Sequence, residues 1–202
     1  MNTDSNTHSA LDLCNAALAK LGEAPIESIS PNASSASRLC HIHYHPARRE
    51  TLTLSRWSFA TVATTLSCAS ENPNPASKFP YQFSLPADCL RLMDVECKDW
   101  TLHGRKIGAT SSSLPMSYIA DIEDVSFFDP LFSEALATRL AEKLAVPLTG
   151  SQSLRQNLSK EFHQVILPLA ATTNAVQSHS NDTHPLIEIL RRRMRTFNND
   201  CE

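Results

Sequence analysis

Glycine is scarce. The 202 residues hold four, Gly22, Gly104, Gly108 and Gly150, and they make no phosphate-binding loop, which argues against nucleotide-dependent chemistry. No Gly-x-Ser-x-Gly elbow occurs either, so the strained turn that presents a serine nucleophile in many hydrolases is missing. Eight histidines and many serines leave Ser-His-Asp and Cys-His groupings open by composition alone. The six cysteines, Cys14, Cys40, Cys68, Cys89, Cys97 and Cys201, contain no C-x-x-C pair, which speaks against a zinc ribbon or a dithiol redox site and for free, mostly buried thiols. Net basic charge is missing as well. The formal charge is −3, so the broad positive footprint of a nucleic-acid-binding protein is absent. No apolar run approaches the length of a membrane span, and Met1 to Ser9 lacks the cationic start and apolar stretch of a secretory signal. Without a secretory route, the Asn-x-Ser/Thr sequences at Asn32, Asn157 and Asn181 are read as chance.

What is present is helical periodicity at both ends of the chain. Phe132, Leu136, Leu140 and Leu144 recur every four residues beside a ridge of Ala137, Ala141 and Ala145, the pattern of a helix buried against a close neighbour. Asp129 is placed to cap its start, Pro130 fits the first helical position, and Pro147 to Gly150 close it. Ser151 opens a return helix in which Leu154, Leu158, Phe162, Val165 and Leu169 should face the core, with a kink at Pro168. Residues 127–176 thus read as an αα-hairpin.

Near the N-terminus, Ala10 to Leu21 predicts a helix with Leu11, Cys14, Leu18 and Leu21 on one side, Ser9 as cap and Gly22 as stop. Ile26 and Ile29 should anchor the connector that follows, and Ser30-Pro31-Asn32 should turn it. A second helix runs from Ser34 through Ala36, Cys40, Tyr44 and Ala47 toward Leu54; Pro46 should bend or briefly break it, and Trp57 ends it.

Between Ser58 and Ile122 the pattern changes to short β-branched and aromatic runs. Candidate strands are Phe59 to Leu66, Tyr81 to Leu85, Leu90 to Cys97, Trp100 to His103, Lys106 to Ala109 and Met116 to Ile122. Glu71 to Pro75 reads as a surface loop and Gly104-Arg105 as a tight hairpin turn. The expected class is α+β: a helical bundle from residues 10–57 and 127–178, a small antiparallel β region inserted at 58–126, and a linker with a basic C-terminal tail at 179–202.

In that tail, Leu186, Ile189, Leu190 and Met194 form an apolar side opposite Arg191, Arg192 and Arg195. Such a segment either needs a partner or folds back on its own domain.

The order of several short pieces carries more information than any one of them. Asn15-Ala16-Ala17-Leu18-Ala19-Lys20-Leu21-Gly22-Glu23-Ala24-Pro25-Ile26 is followed by Trp57-Ser58-Phe59-Ala60. Then come Tyr81, Leu85-Pro86-Ala87-Asp88-Cys89-Leu90-Arg91, Tyr118-Ile119 and the Phe128 to Gly150 helix. In this order, over roughly residues 11–175, the chain resembles the tail tubular protein A, or head-to-tail adaptor, family of short-tailed bacteriophages. The resemblance implies a helical bundle with an inserted β region and a structural, non-enzymatic virion protein at the head–tail junction, assembled in the host cytoplasm. It implies a homo-oligomeric ring of twelve copies between the portal protein and the tail nozzle, a tail tubular protein B-like partner. The ring would enclose passing double-stranded DNA without specific binding; no cofactor, metal or membrane is implied. In the family the C-terminal segment reaches the portal, so Leu186, Ile189, Leu190, Arg191, Arg192 and Arg195 are the candidate portal-binding residues.

Two further groups invite chemistry. His41 and His45 share a helical face at the i, i+4 spacing of some zinc sites, but no third ligand is evident, and a surface or interface cluster is the favoured reading. Asp121, Glu123 and Asp124 include carboxylates that a glycoside hydrolase would set about 5 to 10 Å apart as acid and base. That makes an adaptor that also hydrolyses cell-wall or capsular glycan the alternative function. The simpler reading of the trio is a solvated face or the approach to a helix N-terminus.

Overall fold

The computed structural model describes residues 9–67, 70–71 and 77–177. It is an α+β protein in which helices at both ends of the described chain enclose one core, and the strands between them form two small antiparallel sheets around a second.

Helix α1 (Ala10–Leu21) begins with a reciprocal cap: Ser9 Oγ accepts from the Asp12 N–H at 3.1 Å, and the Asp12 carboxylate accepts from the Ser9 N–H at 2.8 Å. Gly22, at φ 75°, ends the helix in the left-handed conformation that glycine adopts without a Cβ penalty. The connector is held by side chains. Asn15 accepts from the Ile26 N–H at 2.8 Å and donates to its carbonyl at 3.1 Å, fixing Ile26 in the core.

Helix α2 (Ser35–Leu54) is continuous through Pro46, where a bend or break was expected. The proline denies a donor to the Ile42 carbonyl, but Ile42 and Pro46 both lie on the exposed face, where water can supply the missing bond.

The chain then makes a 3₁₀ turn (Ser58–Ala60) in place of the expected first strand residues. Seven strands follow: β1 (Thr61–Ser67), β2 (Ser70–Glu71), β3 (Tyr81–Ser84), β4 (Cys89–Val95), β5 (Trp100–His103), β6 (Lys106–Ala109) and β7 (Ser113–Ala120). Glu71, expected in a loop, lies in β2 and pairs with Tyr81 of β3. The sheet orders are β1-β7-β4 and β2-β3-β6-β5, so the last strand in sequence is the centre of the first sheet. β7 starts before Pro115, earlier than expected. The missing donor is tolerated because β4 ends its paired register at Val95, and the Pro115 carbonyl still accepts from the Glu96 N–H at 2.9 Å. Along β7, Leu114, Met116, Tyr118 and Ala120 face the core between the sheets, whereas Ile119 faces the helices.

Helix α3 (Pro130–Thr149) is the central element. Asp129 accepts from the Phe132 N–H at 2.6 Å, and Gly150 at φ 68° terminates the helix. Phe132, Leu136, Leu140 and Leu144 are all fully buried, each contributing about 1.5–3 kcal/mol. The alanine ridge at Ala137, Ala141 and Ala145 is buried too, and α3 packs against α1, α2 and the next helix.

That next helix departs from expectation. It consists of α4 (Gln152–Glu161), a π turn (Phe162–Ile166) and α5 (Leu167–Gln177). The Leu167 N–H reaches the Phe162 carbonyl, five residues back, and Pro168 follows at once. A π turn takes more residues per turn than an α-helix, so the buried stripe runs Leu158, Phe162, Ile166, Ala170. Val165 and Leu169, expected in the core, are 59% and 53% exposed.

The two ends of the β region meet at an aromatic cluster. Phe132 is approached by the rings of Trp57 at 4.9 Å, Phe59 at 5.1 Å and Phe128 at 4.6 Å, all near edge-to-face. Trp57 Nε1 also donates to the Thr51 carbonyl at 2.9 Å. Trp57→Ala should therefore lower the unfolding free energy by about 3–5 kcal/mol. Trp57→Phe, which keeps a ring but strands the carbonyl, should cost about 1–3 kcal/mol, both read from urea denaturation.

Candidate functional site

The tail residues Leu186, Ile189, Leu190, Arg191, Arg192 and Arg195 lie outside the described residues. The sites that can be built are those around α2, α3 and the surfaces of the β region and α4.

The acidic group after β7 surrounds a buried arginine. Arg48, 1% exposed, sits four residues after Tyr44 on the inner stripe of α2 and reaches across to the segment leaving β7. It donates to the Ile122 carbonyl, and its Nη2 lies 2.9 Å from Asp121 Oδ1 and 3.2 Å from Glu123 Oε1. The contact with Asp121 is close in charge but not aligned as a hydrogen bond, and Asp121 Oδ2 turns instead to Arg49 Nε at 3.0 Å. Asp124 caps the 3₁₀ turn Val125–Phe127, accepting from the Ser126 N–H at 2.9 Å; the hydrogen bonds from Ser126 hold its pKa below the usual value. The carboxylates are thus engaged by arginines or by a helix start.

A second polar group was not anticipated. Arg139 of α3 donates to Glu50 of α2 and to Glu142, and its guanidinium lies 5.4 Å from the centre of the Phe162 ring. Lys143 closes the group with a 2.7 Å contact to Glu50. Burial works against the Glu50 carboxylate, but hydrogen bonds from Arg139 and Lys143 outweigh it and lower its pKa. The neighbouring His43 is pushed below its usual value by burial and by the charge of Lys143. For Arg48 the clue is a cation on the inner stripe of α2, which needs a carboxylate from elsewhere in the fold; for Arg139 it is the i, i+3 spacing to Glu142 on a largely buried helix.

His41 and His45 lie exposed on the outer face of α2, and among the described residues no group of three or more His, Cys, Asp or Glu side chains could hold a metal ion. Cys14, Cys40 and Cys89 are buried free thiols, and Cys97 is partly buried. Contact with Cys40, together with burial, pushes the Cys14 thiol up. No described helix is long and apolar enough to cross a membrane.

The residues named in the adaptor resemblance act as ties between elements. Besides the Asn15 clamp on Ile26 and the buried Trp57, the Tyr118 hydroxyl donates to Asp88 at 3.2 Å. Arg105 donates to the Pro86, Ala87 and Cys89 carbonyls of the same turn. Arg91 donates to the Thr53 carbonyl at the end of α2 at 2.6 Å, joining β4 to the bundle.

Two depressions lie on the described surface. A depression of about 250 Å³ on the first sheet is lined by Ala63, Thr65, Ser117, Asp94 and Glu96. Another of about 320 Å³ lies on α4 and the π turn, lined by Arg155, Gln156, Ser159, Lys160, His163 and Gln164.

Fold and site together define an α+β protein whose polar groups join elements of the scaffold. Neither a protein-family model nor a curated protein sequence matches the chain.

The Glu50 group has a definite pH signature. A carboxylate with a lowered folded pKa contributes stability that is fully present above its ordinary value of 4.5 and is lost as pH falls through the folded value. The stability gap between wild type and Glu50→Gln should therefore be constant near neutral pH and narrow below pH 4.5, measured by denaturant unfolding across the range.

Proposed function

We propose that this chain is a head-to-tail adaptor subunit of a short-tailed bacteriophage, a structural virion protein. It forms a homo-oligomeric ring between the portal and the tail nozzle and encloses the DNA exit channel. The observation that supports this reading most directly is the role of the residues that carry the resemblance. Asn15, Trp57, Asp88, Arg91 and Tyr118 each tie one element to another, so the shared pattern corresponds to the conditions for this scaffold. A rigid bundle bearing a β insertion is what a ring subunit requires, because neighbours must meet rigid faces at a repeatable angle. The formal charge of −3 is compatible with a channel wall that does not hold DNA phosphate tightly.

In this reading residues 185–202 supply the portal contact. Leu186, Ile189 and Leu190 bury against the portal, while Arg191, Arg192 and Arg195 pair with its carboxylates. The glycan-hydrolase alternative draws no support from the acidic group, whose oxygens meet Arg48, Arg49 and Ser126.

Native mass spectrometry tests the proposal. The purified chain, mixed with the portal ring of the same phage, should add as a saturating symmetric set of copies, and the mass gives their number. Deleting residues 185–202 should leave the thermal melt unchanged and weaken attachment in sedimentation. No association of the intact chain at near-physiological salt would overturn the adaptor reading. Retention on DNA that falls steeply with salt would point to a DNA-binding module instead.

A further inference from the structure

Cys14 and Cys40 meet inside the helical bundle. Cys14 lies on the inner stripe of α1 with Leu18 and Leu21, and Cys40 on that of α2 with Ser37 and Tyr44; both are fully buried in the same core. Their side chains are in hydrogen-bond contact, although a whole connector separates the two helices in the chain. The other described cysteines, Cys89 and Cys97, belong to the core between the sheets.

The crossing of the two helices is fixed on both sides of the thiols. Asn15, next to Cys14, holds the amide and carbonyl of Ile26. Ser37, one turn before Cys40, donates to the Ser28 carbonyl at 2.6 Å and accepts from the Ser30 N–H at 2.9 Å. The connector is therefore tied to α1 beside one sulfur and to α2 beside the other, by bonds in which neither sulfur takes part. The contact between the thiols also has a direction. The Cys14 S–H donates to the Cys40 sulfur; that bond, with burial, pushes the Cys14 thiol up, and it outweighs burial to hold Cys40 below the usual value. Cys40 is the member with more thiolate character, the form that reacts with oxidants.

We infer that Cys14 and Cys40 form a reversible dithiol site, which closes to a disulfide and fastens α1 to α2 when the chain meets a hydroperoxide. The Cys40 thiolate attacks the O–O bond of hydrogen peroxide, becoming a sulfenic acid and releasing hydroxide, which the proton first lost by Cys40 neutralises. The Cys14 thiol then attacks the Cys40 sulfur, forming the S–S bond and expelling water. Two thiols are oxidised by two electrons, and one peroxide is reduced to two waters. Both sulfurs are sealed from solvent, so the oxidant enters when α1 lifts locally, and that opening sets the rate. Once closed, the bridge restricts the unfolded chain between the two helices and so stabilises the fold. The site is independent of the adaptor reading, and its failure would leave that reading untouched.

The test uses the full chain, reduced and then treated with hydrogen peroxide. Peptide mapping without reductant, after free thiols are alkylated, should recover a Cys14–Cys40 linked pair, and a phosphine reductant should release it. The bridge should raise the melting temperature by about 5–10 °C. Cys14→Ala treated in the same way carries every other oxidation but no bridge, so it should show no such rise. Urea below the unfolding transition should speed closure, because it favours the local opening. Mapping of the wild-type chain is decisive by itself: Cys14 and Cys40 recovered as free thiols or as unlinked sulfur acids after exhaustive treatment would overturn the inference. A bridge that leaves the melt unchanged or lowers it would overturn it as well.

Discussion

The β region leaves the bundle and returns to it at one place, and the rest of the structure depends on both crossings being held there. On the outgoing side Trp57 and Phe59 pack on Phe132, and Thr61 begins the ladder opposite Ile119. On the return, Arg48 grips the segment through Ile122, Asp121 and Glu123 before Phe128 joins the same aromatic cluster. A buried guanidinium is costly unless its donors are used, so the return segment is drawn to a specific position by the need to neutralise Arg48. Apolar packing supplies the bulk of the stabilisation at this junction, and the arginine supplies direction.

The same division recurs inside the bundle. α3 is wrapped by α1, α2 and α4, and such a helix could rotate or slide among similar apolar faces at modest cost. The Arg139 group limits this, because Glu50, Glu142 and the Phe162 ring meet the guanidinium, and Lys143 meets Glu50, in only one arrangement. The π turn belongs to the same constraint. By widening the helix just before Pro168, it keeps Phe162, Ile166 and Ala170 on the buried side while presenting Val165 and Leu169 outward. A local backbone irregularity thus creates a surface feature.

A scaffold tied in this way would suit the adaptor proposed above, whose work is to hold a shape. Its polar side chains at Arg48, Arg139, Asp88 and Asn15 are used within the fold. In the proposed adaptor ring, faces held rigid in this way would set the angle between neighbouring copies, and that angle, rather than any sequence motif, would decide how many copies close the ring.

Much of this was legible before folding is considered, wherever the deciding atoms lie within a few residues of one another. The helix starts at Ser9 and Asp129, the stops at Gly22 and Gly150, the Gly104 hairpin and the apolar stripe of α3 are all set by capping, positive φ and periodicity. The α+β class follows from the order of those pieces. Other features were decided only when distant segments met. Asp121 and Glu123 read as a loose acidic patch until Arg48, more than seventy residues away, is placed against them. β7 becomes the central strand because its two faces serve two cores, a choice no run of eight residues can announce. Pro46 is tolerated because it fell on the solvent side, and Val165, within the π turn, and Leu169, after it, left the core because that turn shifts the phase of the helix. Local chemistry determined where elements begin and end; long-range packing determined which of their faces would be covered.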